Sequence, residues 1–211
     1  MADLALPATR TVGIAGLSWL GFAAIAVAVT QGWTQGLDEA ILIALRRGPA
    51  ALNGPFIIIT DLGSGTLRFI LMSIGCAALL ALRQWRGAAF LLLAAGPDRL
   101  IASNLKHLFG RERPSVVAHL IDAGGLSFPS SHAFGGTTMY LALALAFTPL
   151  IAPARHRPII AGALLLGALI SFSRSWLGVH YPSDVVAGWL GAIGWVLLSH
   201  FLVMRAAPPA R

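Results

Sequence analysis

The sequence predicts an all-α protein: a bundle of six transmembrane helices, with a short interfacial helix between the first and second spans. Three observations predict it. Hydrophobic residues make up 57% of the 211 and charged residues only 11%, where soluble domains run near a quarter charged. Six stretches approach the roughly 20 apolar residues that a bilayer crossing needs. Nearly all the unusual polar residues fall in two connections, 107–130 and 174–183, and at their edges.

The first span reads as Thr11–Thr30. It is long enough to cross and needs no cleavage site to explain it, so it is expected as a membrane helix and not a signal peptide. Asp38 and Glu39 then open a short run in which Ile41, Leu42 and Leu45 share one face. Arg46 and Arg47 close the run before Gly48-Pro49. Acid first and base last complement the helix dipole, and Gly-Pro stops a helix. A run this short cannot span, so it is expected to lie at the interface. The run Phe56-Ile57-Ile58-Ile59 reads as a short re-entrant or interfacial piece.

The remaining spans read as Thr66–Gln84, Gly87–His107, Ser131–Ile151, Pro158–Ser175 and Ser183–Met204. Asp98 and Arg99 lie inside the third, and ionisable groups at membrane depth face protein or water. They are expected to form a structural pair between helices. Cys76 is the only cysteine, so no intrachain disulfide forms, and it reads as a small packed or lipid-facing hydrophobe. The tail Ala206–Arg211 reads as frayed. The whole chain, 1–211, is expected to be one integral-membrane domain.

The formal net charge is +7, with the arginines scattered and no long basic run. That argues against nucleic acid and fits cations flanking membrane spans. Six spans put both termini on one side. The short loops at 83–86 and 155–157 on that side are purely basic. The positive-inside rule therefore predicts cytoplasmic termini, and the two polar connections share the outer face.

Each polar group there has a plain reading and a chemical one. Lys106 and Arg113 suit helix-end anchors. They also suit an anion clamp, Arg as a planar fork and Lys as a point charge. Ser130 and Ser131 suit a helix cap. A helix start also offers free N–H groups and the positive end of a dipole to phosphate, and His132 would stand beside it. His180 and Asp184 are four apart. If a helix starts near Pro182, the carboxylate can turn back to one imidazole nitrogen and leave the other as a lone-pair nucleophile. An acid favoured by the helix dipole is the plain alternative. Arg174 closes the fifth span, as an anchor or a third clamp cation.

Together these residues form a pattern: Lys106, six residues, Arg113-Pro114; Pro129-Ser130-Ser131-His132; and Ser173-Arg174, five residues, His180, three residues, Asp184. The pattern resembles the three-part signature of the type 2 phosphatidic acid phosphatase superfamily, which also includes the vanadium haloperoxidases. All three parts occur in order, over residues 106–184. Ser131 stands where many members carry glycine, adding bulk near the phosphate. The resemblance implies that His180 attacks phosphorus and becomes a phosphohistidine, oriented by Asp184. It implies that His132 protonates the departing oxygen and later activates water. Lys106, Arg113, Ser130, Ser131 and Arg174 would form the oxyanion cradle, with no cofactor and no metal.

The function these readings imply is an integral-membrane lipid phosphatase acting on a lipid phosphate or pyrophosphate. An isoprenyl pyrophosphate such as the undecaprenyl carrier comes first by family analogy. Phosphatidylglycerophosphate, phosphatidic acid and lipid A phosphates follow. The expected location is a bacterial inner membrane, with the site on the periplasmic face. A lipid binder or transporter using the same cradle is the alternative of a different class, and the haloperoxidase chemistry is disfavoured because those members are soluble. The roles of Asp98, Arg99, Arg111, Glu112 and His119 stay open.

Overall fold

A computed structural model describes residues 8–205. The tail expected to fray, Ala206–Arg211, lies outside the described residues. Those described form helices joined by loops, the longest over 110–130, with no strand among them. In order the helices are α1 (Ala8–Thr30), α2 (Gln35–Arg46), α3 (Asn53–Asp61), α4 (Gly65–Ala81), α5 (Trp85–Ala95), α6 (Asp98–Phe109), α7 (Ser131–Phe147), α8 (His156–Trp176) and α9 (Pro182–Arg205).

Four helical segments are long and apolar enough to cross a bilayer: Thr9–Thr30, Ser131–Leu150, Pro153–Trp176 and Pro182–Arg205. The other two expected spans are built differently. The stretch Gly87–His107 is two helices, α5 and α6, broken at Gly96-Pro97. Proline has no N–H to donate and its ring collides with the preceding turn, so the helix stops there. Thr66–Gln84 corresponds to α4, which pairs with the segment before it. Ala50–Asp61 and Gly65–Ala81 pass as one apolar unit bent by 44°. Ser64 makes that bend, because its hydroxyl caps α4 by accepting from the Leu67 N–H at 3.4 Å. The Phe56–Ile59 run is thus one arm of a bent helical pair.

The outward faces of α1, α4 and α8 expose Leu17, Leu20, Phe69, Ile74 and Leu165. With apolar helices of this length, that surface marks an integral membrane protein. The interfacial run expected from Asp38 begins earlier, at Gln35. Its Leu42 is buried as its apolar face required, while Leu37 and Ile43 stay exposed.

Helix α7 is the axis of the bundle and packs against α4, α5, α6, α8 and α9. Leu79, Phe90, Leu91, Met139, Ala142 and Val196 form the core along it, and Cys76 packs at its edge. A second cluster gathers near the start of α7. Phe128 is fully buried there, 5.0 Å from the Phe109 ring and 5.9 Å from Phe22. These contacts hold the end of the long loop, and so Ser127 and Ser130, against α6 and α1. Helix α9 meets α7 closely at Gly188: a Cβ there would stand 2.8 Å from the Ser130 carbonyl oxygen. Only glycine allows that approach, and it brings the first turns of α7 and α9 side by side.

Candidate active site

The three sequence segments converge where α7, α8 and α9 meet the long loop. The Ser130 N–H donates to the Asp184 carbonyl at 3.1 Å, joining the start of α7 to the start of α9. Ser130 also caps α7, accepting from the Ala133 N–H at 3.4 Å. The first turn of any helix leaves N–H groups without intrahelical partners, and here they belong to Ser131 and His132. Pro182 opens α9, a position that suits its fixed φ and missing donor. Between α8 and α9 the chain turns at Gly178, whose φ of +78° is the left-handed region that glycine tolerates. The Leu120 N–H donates to the Leu177 carbonyl at 3.0 Å and pins the long loop to that turn.

His180 follows the turn and is 1% exposed; Asp184 is fully buried. Nδ1 of His180 lies 3.4 Å from Asp184 Oδ2. Ser127 stands against both: its hydroxyl donates to Oδ2 at 2.5 Å and lies 3.2 Å from Nδ1. The Tyr181 N–H donates to the same oxygen at 2.9 Å. On the other side of the ring, Nη1 of Arg113 is 3.1 Å from Nε2 and also donates to the Val179 carbonyl at 2.7 Å. A guanidinium only donates, so Nε2 is the acceptor and the ring proton sits on Nδ1, facing the carboxylate. Burial pushes the His180 imidazole well below its ordinary value, and the charges of Arg113, Arg174 and Lys106 push the same way.

The cations are anchored by carbonyls. Arg113 donates from Nε to Gly125 at 3.0 Å and from Nη2 to Gly124 at 2.8 Å. Burial draws its guanidinium down and Asp184 partly offsets this. Lys106 donates to the Leu126 carbonyl and lies 3.4 Å from that of Ser127. Arg174, 4% exposed, donates from Nη1 to the Thr60 hydroxyl at 2.8 Å. Its buried Nε has no hydrogen-bond partner among the described residues. His132 stands within electrostatic reach of Arg174, Arg68, His180 and Arg113. All eight residues singled out in the sequence are therefore gathered at one place. His180, Asp184 and Arg113 are in direct contact, and the Ser131 carbonyl accepts from Arg68 at 3.2 Å.

Five further residues belong to this place. Besides Ser127, Arg111 donates to Asp184 Oδ1 at 2.7 Å and to Asp38 Oδ2 at 2.8 Å. Asp38, read from the sequence as a dipole acid, is buried in that contact. Arg68, 7% exposed, pairs with Asp98 at 3.1 Å and donates to the Gly63 carbonyl at 2.7 Å. Asp98 thus pairs across helices with Arg68, while its neighbour Arg99 is exposed. The only sequence signal for Arg111 was a second arginine two residues before Arg113. For Ser127 there was none.

Helices α4 and α6 barely touch. The gap between them is a cavity of about 440 Å³ lined by Arg68, Arg99, Ser103, Lys106, Ser131 and His132, among others. A second cavity of about 380 Å³ shares Arg68 and Arg99 with it and runs on to Phe69, Met72, Ala95 and Met139. The chamber beside His132 thus shares a wall with a groove that reaches Gly96, at the break between α5 and α6.

Known proteins are similar to this chain in sequence and fold. The chain is 33% identical over 193 residues to phosphatidylglycerophosphatase B of Bacillus subtilis, across 87% of this chain and 92% of that protein. It is 36% identical over 91 residues to the undecaprenyl-diphosphatase BcrC of the same organism, across 43% of this chain and 39% of that one. Its fold matches the crystal structure of a transmembrane PAP2-type phosphatidylglycerolphosphate phosphatase from Bacillus subtilis. The TM-score is 0.85 at 27% identity, over 93% of this chain and 98% of the other. The model of the PAP2 superfamily matches residues 87–207, which include every signature residue from Lys106 to Asp184, and the chain belongs to that superfamily.

Proposed function

We propose that the protein is a membrane lipid phosphatase working through a phosphohistidine on His180. The observation that carries this reading is the two-sided setting of the His180 ring. Asp184 and Ser127 hold the protonated Nδ1 side, and the Nε2 lone pair faces Arg113. Nε2 attacks phosphorus, the bond to the lipid-side oxygen breaks, and His132 gives that oxygen a proton. Water then attacks the phosphohistidine, His132 takes its proton, and inorganic phosphate leaves. Lys106, Arg113 and Arg174, with the N–H groups of Ser131 and His132, spread over the phosphoryl oxygens, where charge is largest in the transition state. The unpartnered Nε of buried Arg174 supports an anion there, since buried donors are otherwise paired. A bound phosphate dianion also favours a protonated His132 by direct attraction.

The paired cavities support a lipid as the substrate. Its phosphate would occupy the polar chamber at His132 and Lys106, and its chain the groove past Phe69 and Met72. Approach between α4 and α6 keeps the chain in the bilayer. The likeness to a phosphatidylglycerophosphatase extends along most of both chains, so a glycerolipid phosphate comes first. An isoprenyl pyrophosphate, placed first in the sequence reading, comes second on the shorter likeness to an undecaprenyl-diphosphatase. The chain forms one domain with six crossings, counting the α3–α4 and α5–α6 pairs as one each. Both termini are cytoplasmic, and the site lies on the periplasmic face of an inner membrane.

The test is phosphate release by the purified protein in detergent, over phosphatidylglycerophosphate, phosphatidic acid, lipid A and isoprenyl mono- and pyrophosphates. One substrate should be turned over at least tenfold better than the rest, and His180→Ala should abolish release. A His180→Ala protein that still releases phosphate would overturn the reading.

A further inference from the structure

Arg111 lies two residues before Arg113, yet the two arginines face different partners. Nη1 of Arg111 donates to Asp184 Oδ1 and to the Ser183 hydroxyl, both at 2.7 Å. Nη2 donates to Asp38 Oδ2 at 2.8 Å and to Gln35 Oε1 at 3.0 Å. The guanidinium lies over the Tyr181 ring, 4.0 Å from its centroid. Both ends of the fork are thus engaged by protein, which leaves Arg111 unsuited to bind a phosphoryl oxygen. Its side chain is 10% exposed, that of Asp38 4% and that of Asp184 0%.

Asp38 completes the arrangement. Its Oδ1 accepts from the Ser183 N–H at 2.9 Å and its Oδ2 from the Ser183 hydroxyl at 2.5 Å. Helix α2 therefore grips the first turn of α9, the turn that carries Asp184. The carboxylate of Asp184 is held from both oxygens: Oδ2 by Ser127 and Tyr181 on the His180 side, Oδ1 by Arg111. Turning the carboxylate about its bond would break the Arg111 contact and take Oδ2 from Nδ1.

We infer that Arg111 is a positioning residue for the histidine–aspartate pair, and that the interfacial helix α2, through Asp38, holds Arg111 in place. The inference rests on His180 being the nucleophile. Arg111 keeps Asp184 charged and oriented in a buried place, where a lone carboxylate would be poorly tolerated. Asp38 gives the guanidinium a second carboxylate, so its plane is fixed. Gln35 adds a tie from the same helix and also donates to the Tyr181 hydroxyl at 3.1 Å.

The experiment compares wild type, Arg111→Ala, Arg111→Lys, Asp38→Asn, the Arg111→Lys/Asp38→Asn pair and His180→Ala. Each is purified in detergent, and kcat and KM are measured with phosphatidic acid or, if that is not turned over, with the best substrate of the panel. Arg111→Ala should lower kcat about 30-fold or more with KM within about threefold, because Lys106, Arg113 and Arg174 are untouched. Arg111→Lys should recover part of kcat, as one point charge meets one carboxylate but not both. Asp38→Asn should lower kcat about tenfold, and the pair should lose less than the product of its single variants, as members of one network do. If Arg111→Ala does not fold, the lysine and asparagine variants carry the test. A kcat within twofold of wild type in both would overturn the inference, as would losses falling on KM alone, which would make Arg111 a substrate ligand. An active His180→Ala protein would instead overturn the reading beneath it.

Discussion

Ser127 stands where His180 and Asp184 would otherwise face each other alone. Its hydroxyl donates to Asp184 at 2.5 Å and touches the Nδ1 side of His180. Ser127→Ala should therefore lower kcat by about tenfold, a barrier change of about 1.4 kcal/mol, with KM unchanged. Steady-state phosphate release checks it; a rise in KM alone would count against the role. The pH profile follows from the same ring. Burial, then Arg113, Arg174 and Lys106, push His180 below its ordinary value, so the lone pair survives at pH values where a free imidazole has lost it. The acid limb of kcat/KM should therefore lie well below the ordinary imidazole value near 6.5. An acid limb near pH 7 in the wild-type protein would contradict this. The His180–Asp184 pair was legible in the sequence because it is local: four residues apart, across a turn opened by Pro182. Ser127 was not, because its partners lie 53 and 57 residues away. Arg111 was equally hidden, since nothing in a run of basic residues tells a fork saturated by two carboxylates from one that is free.

Among the elements, the meeting of α7 and α9 fixes the site. Gly188 lies one turn after Asp184, and a Cβ there would also stand 2.9 Å from that of Ala133. Gly188→Ala should push α9 from α7, costing about 1–3 kcal/mol of stability and more than tenfold in kcat. Gly162→Ala, where a Cβ meets nothing within 4 Å, should change neither. Thermal unfolding in detergent with phosphate release measures both. Hydropathy made the long helices legible, since α1, α7, α8 and α9 are near-continuous apolar runs. It also concealed the two breaks. The apolar residues around Gly96-Pro97 and around Gly63-Ser64 fill a hydropathy window as well as an unbroken helix does. The dipeptide Gly96-Pro97 was readable as a stop signal, and a cavity opens beside it, lined by Ala95, Gly96 and Asp98.

For the whole molecule, orientation is the property to test. The long loop holding Glu112 and the short one holding Ala154 sit at opposite ends of α7, and both residues are exposed. With Cys76, the single native cysteine, changed to alanine, Glu112→Cys should react with an impermeant maleimide in intact cells and Ala154→Cys should not. The reverse pattern would invert the proposed topology. The cavity between α4 and α6 has a further consequence. Lys106, Ser131 and His132 on its α6 and α7 sides fall inside the matched region 87–207, whereas Arg68 on its α4 side falls before it. The stretch before the matched region therefore serves both places: Arg68 lines the cavity, while Asp38 and Thr60 hold Arg111 and Arg174. A chimera that takes its first 86 residues from a relative with another lipid preference, but keeps Gln35, Asp38, Thr60 and Arg68, should take on the donor's taste in lipids and go on releasing phosphate.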